Sequence, residues 1–217
     1  MNRFVALGTM SLVLSAGGLA TADTRIVTEE RTQVTMGDKT TDETSTVTVW
    51  IGPDRAARML PSGRLITRAD RGETYVVDDA RKSYNVIAMK TKDASASVTA
   101  KIEPTGERRQ IGSWSAVRHN LEFEVAPGET GHAVIWMSSE VDVDLDRYRT
   151  FLRSLGRAMG MAWLESVAAL DGYPVLQEAT IGVVRVTARL VSVSEEAAPA
   201  DLYEPPAGYT RKELSGR

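Results

Sequence analysis

Cysteine is absent from the 217 residues, so the fold forms without disulfides and no lipid-modified cysteine can anchor the chain. Neither sign of charge dominates: 26 Lys and Arg stand against 29 Asp and Glu, a net charge of −3. That balance gives no electrostatic footprint for nucleic acid and does not point to an anionic membrane surface. No Gly-x-Ser-x-Gly elbow, dinucleotide fingerprint or phosphate loop occurs, and no internal repeat is seen. Histidine occurs only at 119 and 132, with no spacing that supplies further metal ligands, so no metal site is expected.

The N-terminus has the make-up of an export signal. Arg3 precedes an uncharged run from Phe4 to Ala22, apolar through Leu14 and then small, and Ala20-Thr21-Ala22 fits the small-x-small cleavage pattern. Residues 1–22 are therefore read as a cleavable signal. The mature protein is expected in the periplasm, with no stable membrane insertion after cleavage. Residues 23–217 then form one domain, long enough for a core of its own.

From Asp23 to Val141 the chain alternates Thr, Val and Ile with polar residues and turns every ten residues or so, the rhythm of an antiparallel meander. Thr46–Ile51, Arg64–Arg68, Glu73–Val77, Lys82–Ile87 and Ser113–Val125 read as strands. His132–Met137 is apolar on both faces and should be covered on both. From Asp144 to Leu170 the period changes. Tyr148, Leu152, Leu155, Met159, Ala162 and Ser166 recur at three and four residues, which predicts one helix of about seven turns. Gly172 closes it, and Ile181–Val193 returns to strand with Val184, Val186, Ala188 and Leu190 on one face.

Four carboxylates alternate at Glu140, Asp142, Asp144 and Asp146, but Arg147 and Arg153 stand where a calcium loop needs glycine and glutamate. Capping and helix-dipole compensation explain them better. Each histidine reads as a core or rim residue of a strand. Arg149, Arg153 and Arg157 form a basic stripe on the helix, best read as a solvated face. Gly156 and Gly160, flanked by Met159 and Met161, suggest close approach to the sheet or a helix that bends. No catalytic residue and no cofactor are expected.

The order of short motifs carries more. Val49 to Pro53 (VWIGP) leads to Arg55 and Arg58, then to Thr74–Asp78, Lys82–Tyr84, Thr105–Glu107, Ile111–Trp114, Gly172–Val175 and Pro206–Tyr209. This succession resembles an uncharacterised family, a domain of unknown function similar to the bacterial periplasmic lipoprotein-carrier (LolA/LolB-like) superfamily. The resemblance covers essentially all of 23–217. It implies a mainly β, α+β fold: a curved antiparallel half-barrel with one long helix packed on its concave face. It also implies an apolar space between sheet and helix that accepts acyl chains, with Arg55 or Arg58 as the strand arginine that latches the lid. The expected function is a non-enzymatic binding or carrier protein for a lipid, acyl chain or acylated protein, its groove lined by Trp136, Leu152, Leu155, Met159 and Trp163. The alternative is an envelope interaction module with no small-molecule ligand, docking a protein partner.

Overall fold

The computed structural model describes residues 22–88, 100–126 and 128–212; the expected signal lies almost entirely outside them, as does most of the loose stretch 94–100. Twelve strands form a single sheet. They are β1 Asp23–Met36, β2 Lys39–Ile51, β3 Arg55–Leu60, β4 Gly63–Arg68, β5 Glu73–Asp78, β6 Ser83–Ala88, β7 Lys101–Ile111, β8 Trp114–Ala126, β9 Glu129–Ser138, β10 Tyr173–Ile181, β11 Val184–Glu196 and β12 Thr210–Lys212. Their order is β12-β6-β5-β4-β3-β2-β1-β11-β10-β9-β8-β7, antiparallel throughout except where β12 joins β6 in parallel. The first and last long strands, β1 and β11, thus meet in the middle, while the consecutive strands β6 and β7 lie towards opposite edges.

The expected single helix over Asp144–Leu170 is not one element. It is α1, Leu145–Met159, followed by α2, Trp163–Ala168. Asp144 caps α1, its carboxylate accepting the Asp146 and Arg147 N–H groups at 3.1 Å. Gly160 ends it in the left-handed region at φ 69°, and the Met161 N–H turns back to the Gly156 carbonyl at 2.8 Å. Gly156 is where that turn closes on the helix. A Cβ there would sit 2.9 Å from the Met161 carbonyl oxygen and 3.3 Å from the Leu164 Cβ. Apolar periodicity ran through this break because both helices bury the same face. Strand Ile181–Val193 likewise resolves into the end of β10, a Gly182–Val183 turn, and β11.

Each face of the sheet carries a core. Ile26, Val47, Val49, Ile51 and Ala56 share one face with Leu121, Phe123 and Ile135 and pack beneath Phe151, Leu152, Leu164 and Val167 of the helices. On the opposite face Trp50, Ala57, Ile66, Tyr75 and Val77 are covered by Leu202 and Tyr203 of the C-terminal segment. Polar contacts pin that segment: the Tyr203 hydroxyl donates to Asp23 at 3.0 Å, Arg55 lies 4.5 Å over the Tyr203 ring, and Glu204 pairs with Arg68 and Arg71. The guanidinium of Arg68 holds Asp70 below the ordinary carboxylate range. For Glu204, burial works the other way, but the Arg71 hydrogen bond and the Arg68 charge outweigh it.

Candidate functional site

The helical face is not covered to its end. Register places Thr28, Glu30, Thr32 and Val34 of β1 beside Leu190, Ala188, Val186 and Val184 of β11 on the face that also holds Ile26. Leu190 is buried, whereas Val34, Val184 and Val186 are half-exposed and lie outside the core cluster. Ala179 and Ile181 of β10 and Ala133 of β9 extend this strip, opposite Val186, Val184 and Leu121 respectively. The result is a strip of sheet face, called the trough below, apolar on β9, β10 and β11 and mixed with Thr28, Glu30 and Thr32 on β1, that runs out from the helices towards the hairpin tips.

At the outer margin of the helices, Trp163 stacks on Phe123 with centroids 4.5 Å apart and planes at 28°. Phe123 in turn lies over Gly131, where a Cβ would stand 2.7 Å from its ring and 3.2 Å from Ile181. Met159 and Met161 are exposed on either side of Gly160. Their place in the chain, two to four residues before Trp163, brings flexible thioethers near this end of the trough.

Glu30 and Arg58 bring charge onto the same face, paired at 2.6 Å and each partly buried. Tyr173, packed 4.6 Å from Tyr148 of α1, has its hydroxyl pKa raised by burial, with Arg58 acting in the opposite sense. Tyr148 is raised by burial as well. These tyrosines stay neutral and serve as core.

The helices are joined to the sheet in an unusual way. Among the described residues, their ion pairs are internal: Arg147–Asp144 at 3.0 Å, Arg149 with Asp146 and Asp171 at 3.6 Å, and Arg153–Glu165 at 3.0 Å. The side-chain hydrogen bond leaving the unit runs from Arg147 Nη1 to the Ala22 carbonyl at 3.4 Å. Apolar packing is therefore what holds α1 and α2 down.

Beside α1 a small cleft opens to solvent, with room for about one water molecule. The β2–β3 turn (Gly52, Asp54, Arg55), Thr67 of β4, and Arg147 and Ser154 of α1 are among its walls.

The sequence-derived residues fall in different places. Leu152 is buried in the core under α1, Leu155 and Trp163 pack against that core, and Met159 is exposed. Trp136 is buried, but strand alternation turns it away from Ile135 and Phe123, and Arg109 lies 5.9 Å from its ring centroid. Arg58 faces the helical side but pairs with Glu30; Arg55 stands 3.8 Å from Asp23. His119 is half-buried with an unpartnered Nδ1, and His132 is exposed. The trough residues Val184 and Val186 had been visible as one strand face. The cleft residues Arg147, Thr67 and Ser154 carried no sequence signal, because three elements far apart in the chain assemble them.

Comparison with known proteins gives the following. The family model of a domain of unknown function, DUF4412, matches residues 52–209. No curated protein matches the chain. Among solved structures, a domain from Vibrio parahaemolyticus described as an outer membrane lipoprotein-sorting protein aligns at 6% identity and TM-score 0.37, over 83% of this chain and 88% of that one. A DUF1329 family protein from Desulfovibrio piger aligns at 10% identity and TM-score 0.35, over 85% and 90%.

Proposed function

This chain belongs to the DUF4412 family, a domain of unknown function, and we propose that it is a non-enzymatic envelope binding or carrier protein that shelters an apolar ligand beneath its helical lid. The observation that carries this reading is the lid itself. Two helices rest on one sheet face through apolar contacts, with the ion pairs they make among the described residues lying within the helical unit, next to half-exposed valines that continue the same surface. Among the described residues, lifting such a lid breaks no ion pair, and it exposes a surface suited to hydrocarbon. An acyl chain replacing those contacts gains roughly 0.8 kcal/mol per buried methylene. The ligand lies along Val34, Val184, Val186 and Ile181 and displaces Trp163 from Phe123. An export signal ending near Ala22 is part of this proposal, since it delivers the domain to the periplasm, where lipid traffic occurs.

Titration of the purified domain with oleate, followed by tryptophan fluorescence and native mass spectrometry, tests the reading. Saturable 1:1 uptake, weakened about tenfold by Val186→Asp, is expected. Failure to take up oleate at micromolar protein, with the fold intact by circular dichroism, overturns it.

The rival reading is an interaction module with a filled interior. It draws support from the dense packing under α1 and from the cleft beside it, which holds no more than about one water molecule. That reading predicts a lid that stays closed in the presence of any acyl probe.

A further inference from the structure

We infer that the row of hairpin turns at the outer end of the trough is a docking surface for a phospholipid bilayer, which Met36, Val183 and Val125 enter. The inference rests on the carrier reading for its purpose, the passage of an acyl chain between bilayer and trough, but not for the docking itself.

Topology brings the turns together. Strands β1, β10 and β8 run in one direction and β2, β11 and β9 in the other, so their three hairpins turn at the same end of the sheet, side by side. They are also level. Val34, Val184, Ile181, Gly131 and Phe123 form one register row across β1, β11, β10, β9 and β8, and Met36, Val183 and Val125 lie one or two residues beyond it. Neighbouring turns touch: the Thr35 N–H donates to the Val183 carbonyl at 3.1 Å, and a Cβ on Gly182 would lie 3.8 Å from Glu129 Oε1. The rim is therefore one surface, roughly 19 Å long from β1 to β8 at ~4.8 Å per strand spacing.

The side chains at this rim are apolar where water would favour polar ones. Met36 and Val183 are the two most exposed large apolar residues among those described, at 71% and 57%, and Val125 adds a third at 45%. One exposed apolar side chain is ordinary, but one on each of three adjoining turns makes a patch. Strand alternation puts Met36 on the side of Val34, and Val125 on the side of Leu121 and Phe123. Both therefore carry the trough face out to its edge.

A bilayer fits this rim better than a protein does. Three separated side chains fall far short of the roughly 20–30 residues that each partner gives a standard protein interface. Insertion among lipids needs no matching shape, and its strength follows the apolar area buried. The rim charges Asp38, Lys39, Glu124, Glu129 and Arg185 are exposed and of both signs, and Arg185 is paired with Glu178 at 3.3 Å. With no basic cluster to draw anionic lipid, the headgroup layer it suits is zwitterionic. Seated rim-down, the trough meets the bilayer end-on, and hydrocarbon leaving the lipid comes first to Val34, Val184 and Ile181.

The test is flotation with phosphatidylcholine vesicles, using protein that begins at Asp23 and so lacks the uncharged run Phe4 to Ala22, which would bind lipid by itself. Saturable binding is expected, and high salt should leave it nearly unchanged because no charge drives it. Combining Met36→Ser, Val125→Ser and Val183→Ser should weaken binding at least about tenfold, with circular dichroism unchanged. Val183→Trp should give an emission that shifts to the blue on adding vesicles. Wild-type protein that does not float, undiminished binding in the combined variant, loss of binding in salt, or an unshifted Val183→Trp emission each overturns the inference. A dimer of the wild type that the same three substitutions abolish assigns the rim to a second copy of the chain, and overturns it as well. Oleate uptake keeps the two readings apart. Uptake without vesicle binding removes the docking surface and leaves the carrier reading standing; vesicle binding without uptake does the reverse.

Discussion

Truncating Trp163 to alanine should loosen the lid by about 2 kcal/mol. Its ring stacks on Phe123, a residue only 3% exposed, at 4.5 Å. Removing a fully buried tryptophan costs about 3–5 kcal/mol. Trp163 is half-buried, so roughly half of that is expected, of which about 0.5–1.5 kcal/mol belongs to the ring pair. In equilibrium terms this is about a thirtyfold increase in the open population. Native-state hydrogen exchange in low denaturant is the assay. Wild-type amides of α1 and α2 should exchange through an opening of lower free energy and weaker denaturant dependence than those of β1 and β11. The Trp163→Ala variant should speed lid exchange about thirtyfold, and 1 M salt should leave the wild-type lid opening nearly unchanged because its ion pairs are internal. A double-mutant cycle with Phe123→Ala should return a coupling of about 1 kcal/mol. Identical opening free energies for lid and central strands in wild type would refute the separate lid, and a large salt acceleration would refute its apolar attachment.

Gly131→Ala places a methyl group 2.7 Å from the Phe123 ring and should destabilise by about 1–3 kcal/mol in urea unfolding. Gly172→Ala meets both a φ of 87° and the Ser138 carbonyl oxygen at 2.4 Å, so it should be more damaging than Gly160→Ala, which meets no atom, when their Tm values are compared. Acid should loosen the C-terminal segment before the sheet. Asp70 and Glu204 have folded pKa values below their ordinary ones, so the stability they contribute is complete above the usual carboxylate range and is lost as pH falls through about 4 and below. NMR shifts of Leu202–Glu204 between pH 7 and 3 check this, and Arg68→Gln should flatten the response.

Much of the sheet was legible because its strands alternate cleanly. Thr46–Ile51 and Ser113–Val125 fall within β2 and β8 to within a residue or so, since Val47, Val49 and Ile51, and Leu121 and Phe123, are buried while Thr46, Thr48, Glu122 and Glu124 beside them are more exposed. The first hairpin was harder to read: Lys39–Glu43 is exposed on both faces, so no alternation marks it. β7 was hidden for a similar reason. As an edge strand it is exposed nearly throughout, and Pro104 and Gly106 sit at its bulge, residues that usually argue against a strand. The helix was seen, but its break was not, because a stripe of apolar residues measures which side is buried and not whether the axis continues. Gly156 and Gly160 were read as close approach to the sheet or a bend; Gly156 instead packs against Met161 and Leu164, and the left-handed Gly160 ends α1 outright. For the candidate site, periodicity found the trough face on β11 but could not say that the lid stops short of it. The cleft depends on long-range placement of Arg55, Thr67 and Arg147, which no local pattern encodes.

The strand order has a mechanical consequence. Strands β6 and β7 follow each other in the chain yet are separated by ten strand spacings in the sheet, about 48 Å if it were laid flat at ~4.8 Å per spacing. The covalent path from Ala88 to Lys101 spans at most about 46 Å, even at full extension of ~3.5 Å per residue. A flat sheet is therefore out of reach whatever its side chains prefer. Chain length alone therefore sets a minimum bend between the two edges of the sheet.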